Sequence, residues 1–368
     1  MTRLPEKIRR TLERKVKEMM LRDDVYGLGM FGSWSRGDAE ASSDVDLLVI
    51  SGENLKGEHV ERVVASNFFL DFDFIPGSWI KGPIPPELDQ KLYESQILYD
   101  RDWSLANAKL LVTKNYSSPE RVDIRTETHV VDSDIYLSRA TSAFSKGDFR
   151  SARIFAVAAM ENILKIPLEI ALEPFSNSRF LEKLEFSIMK LGLTNLLNDY
   201  LTIAQLDQVE KDFAEEKLRL LRTIWEETGL LIKYNPKIIE KLHFKVKANL
   251  KYYFNPAFLQ GMTLRTKTLI ASKNPAEALR YLKSTFLQMT ENYAWLRASM
   301  EKAKIDYTCL IGCLESLEKK NPRHCKNIIN FLDVDHVEKK ETSETIEKAK
   351  RLMLKIRGQR RLLIKKHL

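Results

Sequence analysis

Two aspartates, Asp44 and Asp46, stand one residue apart at the head of an apolar run, Val45 to Ile50. Strand side chains alternate, so if that run is a strand both carboxylates leave its start on the same face and aim at one point. At about 5 Å and an effective dielectric near 20, Coulomb's law sets their repulsion at about 3 kcal/mol. A divalent cation relieves it. Hard oxygen ligands suit Mg²⁺ (or Mn²⁺), which takes one or two protein carboxylates and completes its shell with water and substrate phosphates. Upstream, Val25 to Phe31 reads as another strand that stops at Gly32 and Ser33, where a tight turn opens into a short helix carrying Arg36. Small residues there let backbone N–H groups approach an anion, with Ser33 as N-cap and the positive helix end beside it. Arg36 reads as a counter-charge to phosphate, and Ser43 as a structural cap on the turn that presents the aspartates.

Gly32-Ser33, Arg36-Gly37 and the run Ser43-Asp-Val-Asp-Leu resemble, in that order and spacing, the signature of the DNA polymerase β superfamily of nucleotidyltransferases, in its minimal and kanamycin-type flavour. The resemblance implies transfer of a nucleoside monophosphate from a nucleoside triphosphate (NTP) to an acceptor hydroxyl, assisted by two metal ions. It implies nucleotide-binding roles for Gly32, Ser33, Arg36 and Ser43 and metal-holding roles for Asp44 and Asp46. It also implies a third carboxylate on a later strand. Phe68 to Pro76 alternates apolar and acidic positions, as a strand with one polar face requires. The polymerase-like branch of the family places the third ligand on Asp71; Asp73 shares its face and is the alternative.

The elements that must position these residues follow in order. Pro5 to Leu21 spaces Ile8, Leu12, Val16, Met19 and Met20 as a helix that packs beside the first strand. Glu58 to Ser66 reads as a short helix crossing back to the third strand, Pro76 to Pro86 as a loop, Glu87 to Glu94 as a helix and Gln96 to Asp100 as a strand. Ser117 to Asp132 reads as a polar exit from this domain. The remainder is helical, with helices expected at 133–145, 149–166, 178–191, 194–206 and 206–228 and a second set from Phe258 to Phe331. The fold class expected is therefore α+β: a mixed-sheet nucleotidyltransferase domain over 1–115, a helical bundle over 116–255, a second helical region over 256–340 and a basic C-terminal helix over 341–368.

Composition narrows the function classes. Hydrophobic content of 44% and charged content of 30% are those of a globular protein. No apolar run is long enough for a membrane span, and the charged N-terminus lacks a signal-peptide core, so a cytoplasmic location is expected. Cys309, Cys313, His324 and Cys325 have poor spacing for zinc and read as small core residues. Tyr252, Tyr253 and Phe254, flanked by lysines, read mainly as core rings, with base stacking as the functional alternative. The net charge is +8, yet nine Lys and Arg and no acid lie from Lys348 onward, which leaves the rest of the chain close to neutral. Lys355, Arg357, Arg360, Arg361, Lys365 and Lys366 on that tail suit an RNA backbone, so the acceptor expected is an RNA end. A small hydroxylated molecule, a protein side chain, or a non-catalytic antitoxin-like binding module are the alternatives.

Overall fold

The computed structural model describes residues 4–40, 42–52, 55–65, 68–193, 195–319 and 321–368. In chain order it comprises α1 (Glu6–Met20), β1 (Val25–Phe31), α2 (Gly32–Arg36), β2 (Val45–Ser51), β3 (His59–Ala65), β4 (Phe68–Pro76), α3 (Asp89–Glu94), β5 (Gln96–Asp100) and α4 (Ser104–Asn115). Short 3-10 turns at Gly77–Trp79 and Pro86–Leu88 join β4 to α3. Helices follow: α5 (Pro119–Ser145), α6 (Phe149–Ile163), α7 (Lys165–Ile170), α8 (Phe180–Leu191), α9 (Leu196–Ile203), α10 (Lys211–Tyr234), α11 (Pro236–Ile239), α12 (Phe244–Tyr253), α13 (Pro256–Ala271), α14 (Pro275–Met300), α15 (Leu310–Leu317), α16 (Pro322–Leu332) and α17 (Lys339–His367). The chain forms two compact units, one from Met1–Arg121 with His243–Arg265 and one from Val122–Leu242 with Thr266–Leu368.

The first unit is built on a mixed sheet in the order β3-β4-β2-β1-β5. β2 and β4 run parallel and every other neighbouring pair is antiparallel, so the α+β class expected from the sequence holds. β2 and β4 are the central strands and are buried along nearly their whole length, which is why they read as apolar runs broken only by aspartates. One face packs Leu47, Val49, Leu70, Phe72 and Phe74 under α1, whose Leu12, Val16 and Met19 recur at helical spacing. Each fully buried side chain of this kind is worth roughly 1.5–3 kcal/mol.

Two segments differ from the sequence reading. Residues 59–65 form a strand, β3, paired antiparallel with β4 from His59↔Phe74 to Ala65↔Phe68. Val60, Val63 and Val64 prefer a pleated surface, and the edge position tolerates Val63 and Val64 half exposed. The polar stretch from 117 is no linker, because α5 runs unbroken over Pro119–Ser145.

The second unit is all helical. At its centre Arg280 of α14 is buried over the Phe180 ring of α8, with 4.8 Å from guanidinium carbon to ring centroid. It donates to Glu277 at 2.8 Å, to Glu161 of α6 at 2.7 Å and to the carbonyl of Asn177. Glu277 in turn accepts the backbone N–H of Leu181 at 2.7 Å, in the first turn of α8. Burial opposes the Arg280 charge, but these carboxylates outweigh it and hold its pKa above the ordinary arginine value.

α17 packs on α6 and α7 and buries Leu352, Met353, Ile356, Leu363 and Ile364. Deleting residues 348–368 therefore strips apolar cover from the helical unit. The truncation is expected to lower the urea midpoint sharply, with a loss of several kcal/mol at about 1.5–3 kcal/mol per side chain. Charge reversal of the exposed Lys355, Lys365 and Lys366 is expected to leave the unfolding free energy within about 0.5 kcal/mol of native. Equal midpoints for truncated and intact chains would show that the helix contributes nothing to the core.

Candidate active site

The sheet unit brings three carboxylates together. Asp44 sits just ahead of β2 and Asp46 on its second residue, while Asp71 of β4 is the direct register partner of Asp46 across the parallel pair. One oxygen of each of Asp44, Asp46 and Asp71 lies within 4.8 Å of the others. They form the one cluster of three or more potential ligands among the described residues. Asp73, two residues along β4, is bonded instead to Lys91 of α3, which also holds Glu58 at 2.5 Å. Burial raises the Asp73 carboxyl to about 7, with Lys91 opposing and Glu58 adding to the rise. The triad therefore includes Asp71, and Asp73 belongs to a neighbouring ion pair.

Two arginines answer part of this charge. Arg62, opposite Asp71 in the β3–β4 register, donates Nε to Asp71 Oδ1 at 2.6 Å and Nη2 to Asp71 Oδ2 at 2.5 Å. Its Nη2 also reaches Asp44. Arg265 of α13 donates to the other oxygen of Asp44 at 2.6 Å, and the Tyr252 hydroxyl of α12 donates to Asp71 Oδ2 at 3.1 Å. Burial would raise the Asp44 carboxyl, but Arg265 and Arg62 hold it below the usual carboxylate range. Burial wins at Asp71, which is raised despite Arg62. Burial, with the charges of Asp44 and Asp71, pushes Asp46 well above the ordinary value. Asp46 makes no ion pair among the described residues, and Arg265 and Arg62 act on it through space without outweighing burial and its acidic neighbours, so a cation beside it would favour its charged form. The donor set, three hard oxygens at short range, fits Mg²⁺ or Mn²⁺.

The loop before the triad is also built. Gly32 takes φ +76, and a Cβ there would lie 2.3 Å from Asp46 Oδ2. The turn brings the backbone against the carboxylate, which only glycine allows. Glu94 of α3 accepts from the Gly32 N–H at 3.1 Å and from Arg36 at 2.7 Å, and Arg36 also pairs with Asp38 at 3.2 Å. Ser43 Oγ accepts from the Glu40 N–H at 2.9 Å, as a cap on this turn does. Ser33 is the second residue of α2 and not its N-cap, a place taken by the extended Phe31 with no side-chain cap, and its carbonyl accepts the Gly37 and Asp38 N–H groups that close the helix. Gly32→Ala is expected to cost about 1–2 kcal/mol from the left-handed backbone and, by displacing Asp46, about 10²-fold in turnover. Urea titration and steady-state rates check both; a neutral substitution would show that the close approach is not needed.

The other sequence candidates lie elsewhere. Of the basic residues on α17, Arg360 is buried between Glu127 at 2.6 Å and Asp123 at 3.0 Å of α5. Arg357 pairs with Asp134, and Arg361 lies 3.9 Å from Asp123. The arginines of the tail are thus opposed by acids of α5, and Lys355, Lys365 and Lys366 are exposed with no ion pair to that helix among the described residues. Lys355 joins Lys348 and Arg351 along a cavity of about 420 Å³ that also includes Asp199. Tyr252, Tyr253 and Phe258 pack on one another with centroids 4.9–5.4 Å apart. His324 bonds Glu227 and, at 3.2 Å, Thr228, and burial pushes the Cys325 thiol up to about 12. No helix among the described residues is long and apolar enough to cross a membrane.

Sequence reasoning missed Arg62, Arg265 and Glu94. Their one signal was charge on a segment that also carries apolar residues of strand or helix spacing.

Compared with known proteins, residues 6–129 match the family model described as a nucleotidyltransferase domain. No curated protein matches the chain. Among solved structures, a nucleotidyltransferase-like protein from Exiguobacterium sibiricum 255-15 is similar at 11% identity and a TM-score of 0.33, over 89% of this chain and 91% of that one.

Proposed function

We propose that this chain, whose residues 6–129 match the nucleotidyltransferase domain model, transfers a nucleoside monophosphate from an NTP to an acceptor hydroxyl, with Mg²⁺ or Mn²⁺ held by carboxylates of the triad Asp44, Asp46 and Asp71. The observation that carries the reading is the convergence of those carboxylates within 4.8 Å beside a glycine turn. In the reaction the acceptor oxygen bonds to the α-phosphorus and the bond from that phosphorus to its leaving bridging oxygen breaks. Pyrophosphate departs with the bonding pair, and the acceptor's proton passes to the carboxylate cluster. The cation, when bound, neutralises charge on the attacking and leaving oxygens. Ser33 offers its backbone N–H and Arg36 its guanidinium to the triphosphate, Gly32 gives the turn its close approach, Glu94 keeps Gly32 and Arg36 in place by accepting from both, and Ser43 fixes the turn.

An RNA end as acceptor is supported by the cations Lys348, Arg351 and Lys355 along one cavity and by the exposed Lys365 and Lys366. The test is incubation with α-labelled NTP and Mg²⁺ against RNA, protein and metabolite pools. Label entering one pool with release of pyrophosphate is the expected result; no pyrophosphate with any pool would overturn the enzymatic reading. A binding module is the second reading, favoured by Arg62 and Arg265, which neutralise Asp44 and Asp71 without any cation.

Within the enzyme reading, Asp71→Asn is expected to lower kcat about 10²–10⁴-fold, and Asp73→Asn far less, since Asp73 is engaged with Lys91. Steady-state kinetics check the ranking, and a larger loss at Asp73 would move the third carboxylate there.

A further inference from the structure

The sheet register lines up Arg62, Asp71 and Asp46 on three adjacent strands, since Arg62 is the partner of Asp71 and Asp71 the partner of Asp46. Asp71 has both oxygens engaged: Oδ1 by Arg62 Nε, and Oδ2 by Arg62 Nη2 and the Tyr252 hydroxyl. A planar fork of this kind matches a carboxylate in a way a point charge does not. The guanidinium is also boxed in. Its carbon lies 5.4–5.7 Å from the ring centroids of Phe69, Tyr252 and Phe258. Asn255 donates to the Arg62 carbonyl at 3.1 Å, fixing its backbone. A Cβ at Gly261 would come within 2.7 Å of Nη1, so glycine at that point of α13 makes the room the guanidinium fills. The Arg62 side chain is 4% exposed. Pulling it off Asp71 would break the two-bond fork of a buried cation and leave it only its contact with Asp44, the costly way to break such a pair.

We infer that Arg62 stands permanently where a second cation would meet Asp71, so that the site takes one divalent ion, on Asp44 and Asp46, and uses a guanidinium as the other positive charge. This rests on the reading of the triad as a cation site. Asp46 is bonded to no arginine among the described residues, although Arg265 and Arg62 act on it through space, while Asp44 gives each oxygen to a different one and retains lone pairs for an ion. Asp71 then acts through Arg62 as a positioning residue, and Arg62 is the fixed charge beside the reacting groups.

The test counts ions. The full chain is titrated with Mn²⁺ in the presence of an α,β-methylene nucleoside triphosphate, and bound Mn²⁺ is measured by loss of the free-ion electron paramagnetic resonance signal, corrected for nucleotide alone. One Mn²⁺ per chain is expected for the native protein and two for Arg62→Met, which keeps the packing volume and removes the charge. Asp71→Asn is expected to bind one Mn²⁺ with affinity within twofold of native, and Asp46→Asn to lose at least tenfold. Two ions in the native chain, or a tenfold loss for Asp71→Asn, would overturn the inference while leaving the cation site intact. No bound ion at all would instead overturn the cation reading beneath it. One ion in a folded Arg62→Met would show that the guanidinium does not exclude the second. The Asp71→Asn result stands independently should Arg62→Met fail to fold.

Discussion

Asp46→Asn is expected to lower kcat/KM for nucleotidyl transfer by about 10³-fold or more, while raising the melting temperature of the metal-free protein at pH 8. The two effects have one cause. Burial and the charges of Asp44 and Asp71 hold the Asp46 carboxyl well above its ordinary value, so the folded state keeps a proton that the unfolded chain releases. Stability of the native protein therefore falls as pH rises through the folded-state pKa. Asparagine does not ionise, so the variant escapes that loss and the difference between the two closes at acid pH. Thermal melts in chelator across pH 4–8 read the stability half, and labelled-triphosphate turnover the catalytic half. Unchanged turnover would remove Asp46 from the site; a melting point lowered at pH 8 would show that its carboxylate is a stabilising partner.

Arg280→Met is expected to destabilise the helical unit by about 3–5 kcal/mol. The arginine lies between Glu161 and Glu277 with its side chain 1% exposed, and its removal leaves two buried carboxylates facing each other. Glu277 also caps the first turn of α8, so the disturbance reaches three helices. Urea unfolding measures the loss. The double variant Glu161→Gln with Arg280→Met is expected to recover part of it, because one of the stranded charges is gone. A single variant within about 0.5 kcal/mol of native would show that water reaches the carboxylates, as at an ordinary surface position.

Legibility in the sequence divided along a physical line. β1, β2, β4 and β5 were readable because each is an apolar run bounded by glycine, proline or acidic residues, and the two aspartates at the head of β2 stand out against burial on both sides. β3 misled because Val60, Val63 and Val64 also satisfy helical spacing, and only pairing with β4 decides for a strand. α5 hid in polar residues because much of its surface faces solvent. The arginines at the triad were beyond local reading. Arg62 lies 18 residues from Asp44 and Arg265 lies 221 away, while Tyr252 is 181 from Asp71. No window of neighbouring residues carries a signal for a partner so distant. Asp44 and Asp46 were visible since they share a motif and Asp71 as one of two candidates on a later strand, and their counter-charges were not since the fold alone assembles them.

The sheet unit leaves the chain at Arg121 and resumes at His243, and this has a consequence for synthesis. A ribosome that has finished β5 has made every strand but not Tyr252, Phe258 or Arg265. At roughly 5–20 residues per second, Arg265 follows Arg121 by about 7–29 s. During that interval Arg62 lacks two of its three rings and Asp44 one of its two arginines. The nascent sheet waits with its edge strand and part of its acidic cluster uncovered, while the residues of α5 to α11 are being added. Slowing translation across 122–242 is thus expected to lengthen the exposure of β3, the edge strand, to chaperones and neighbouring chains.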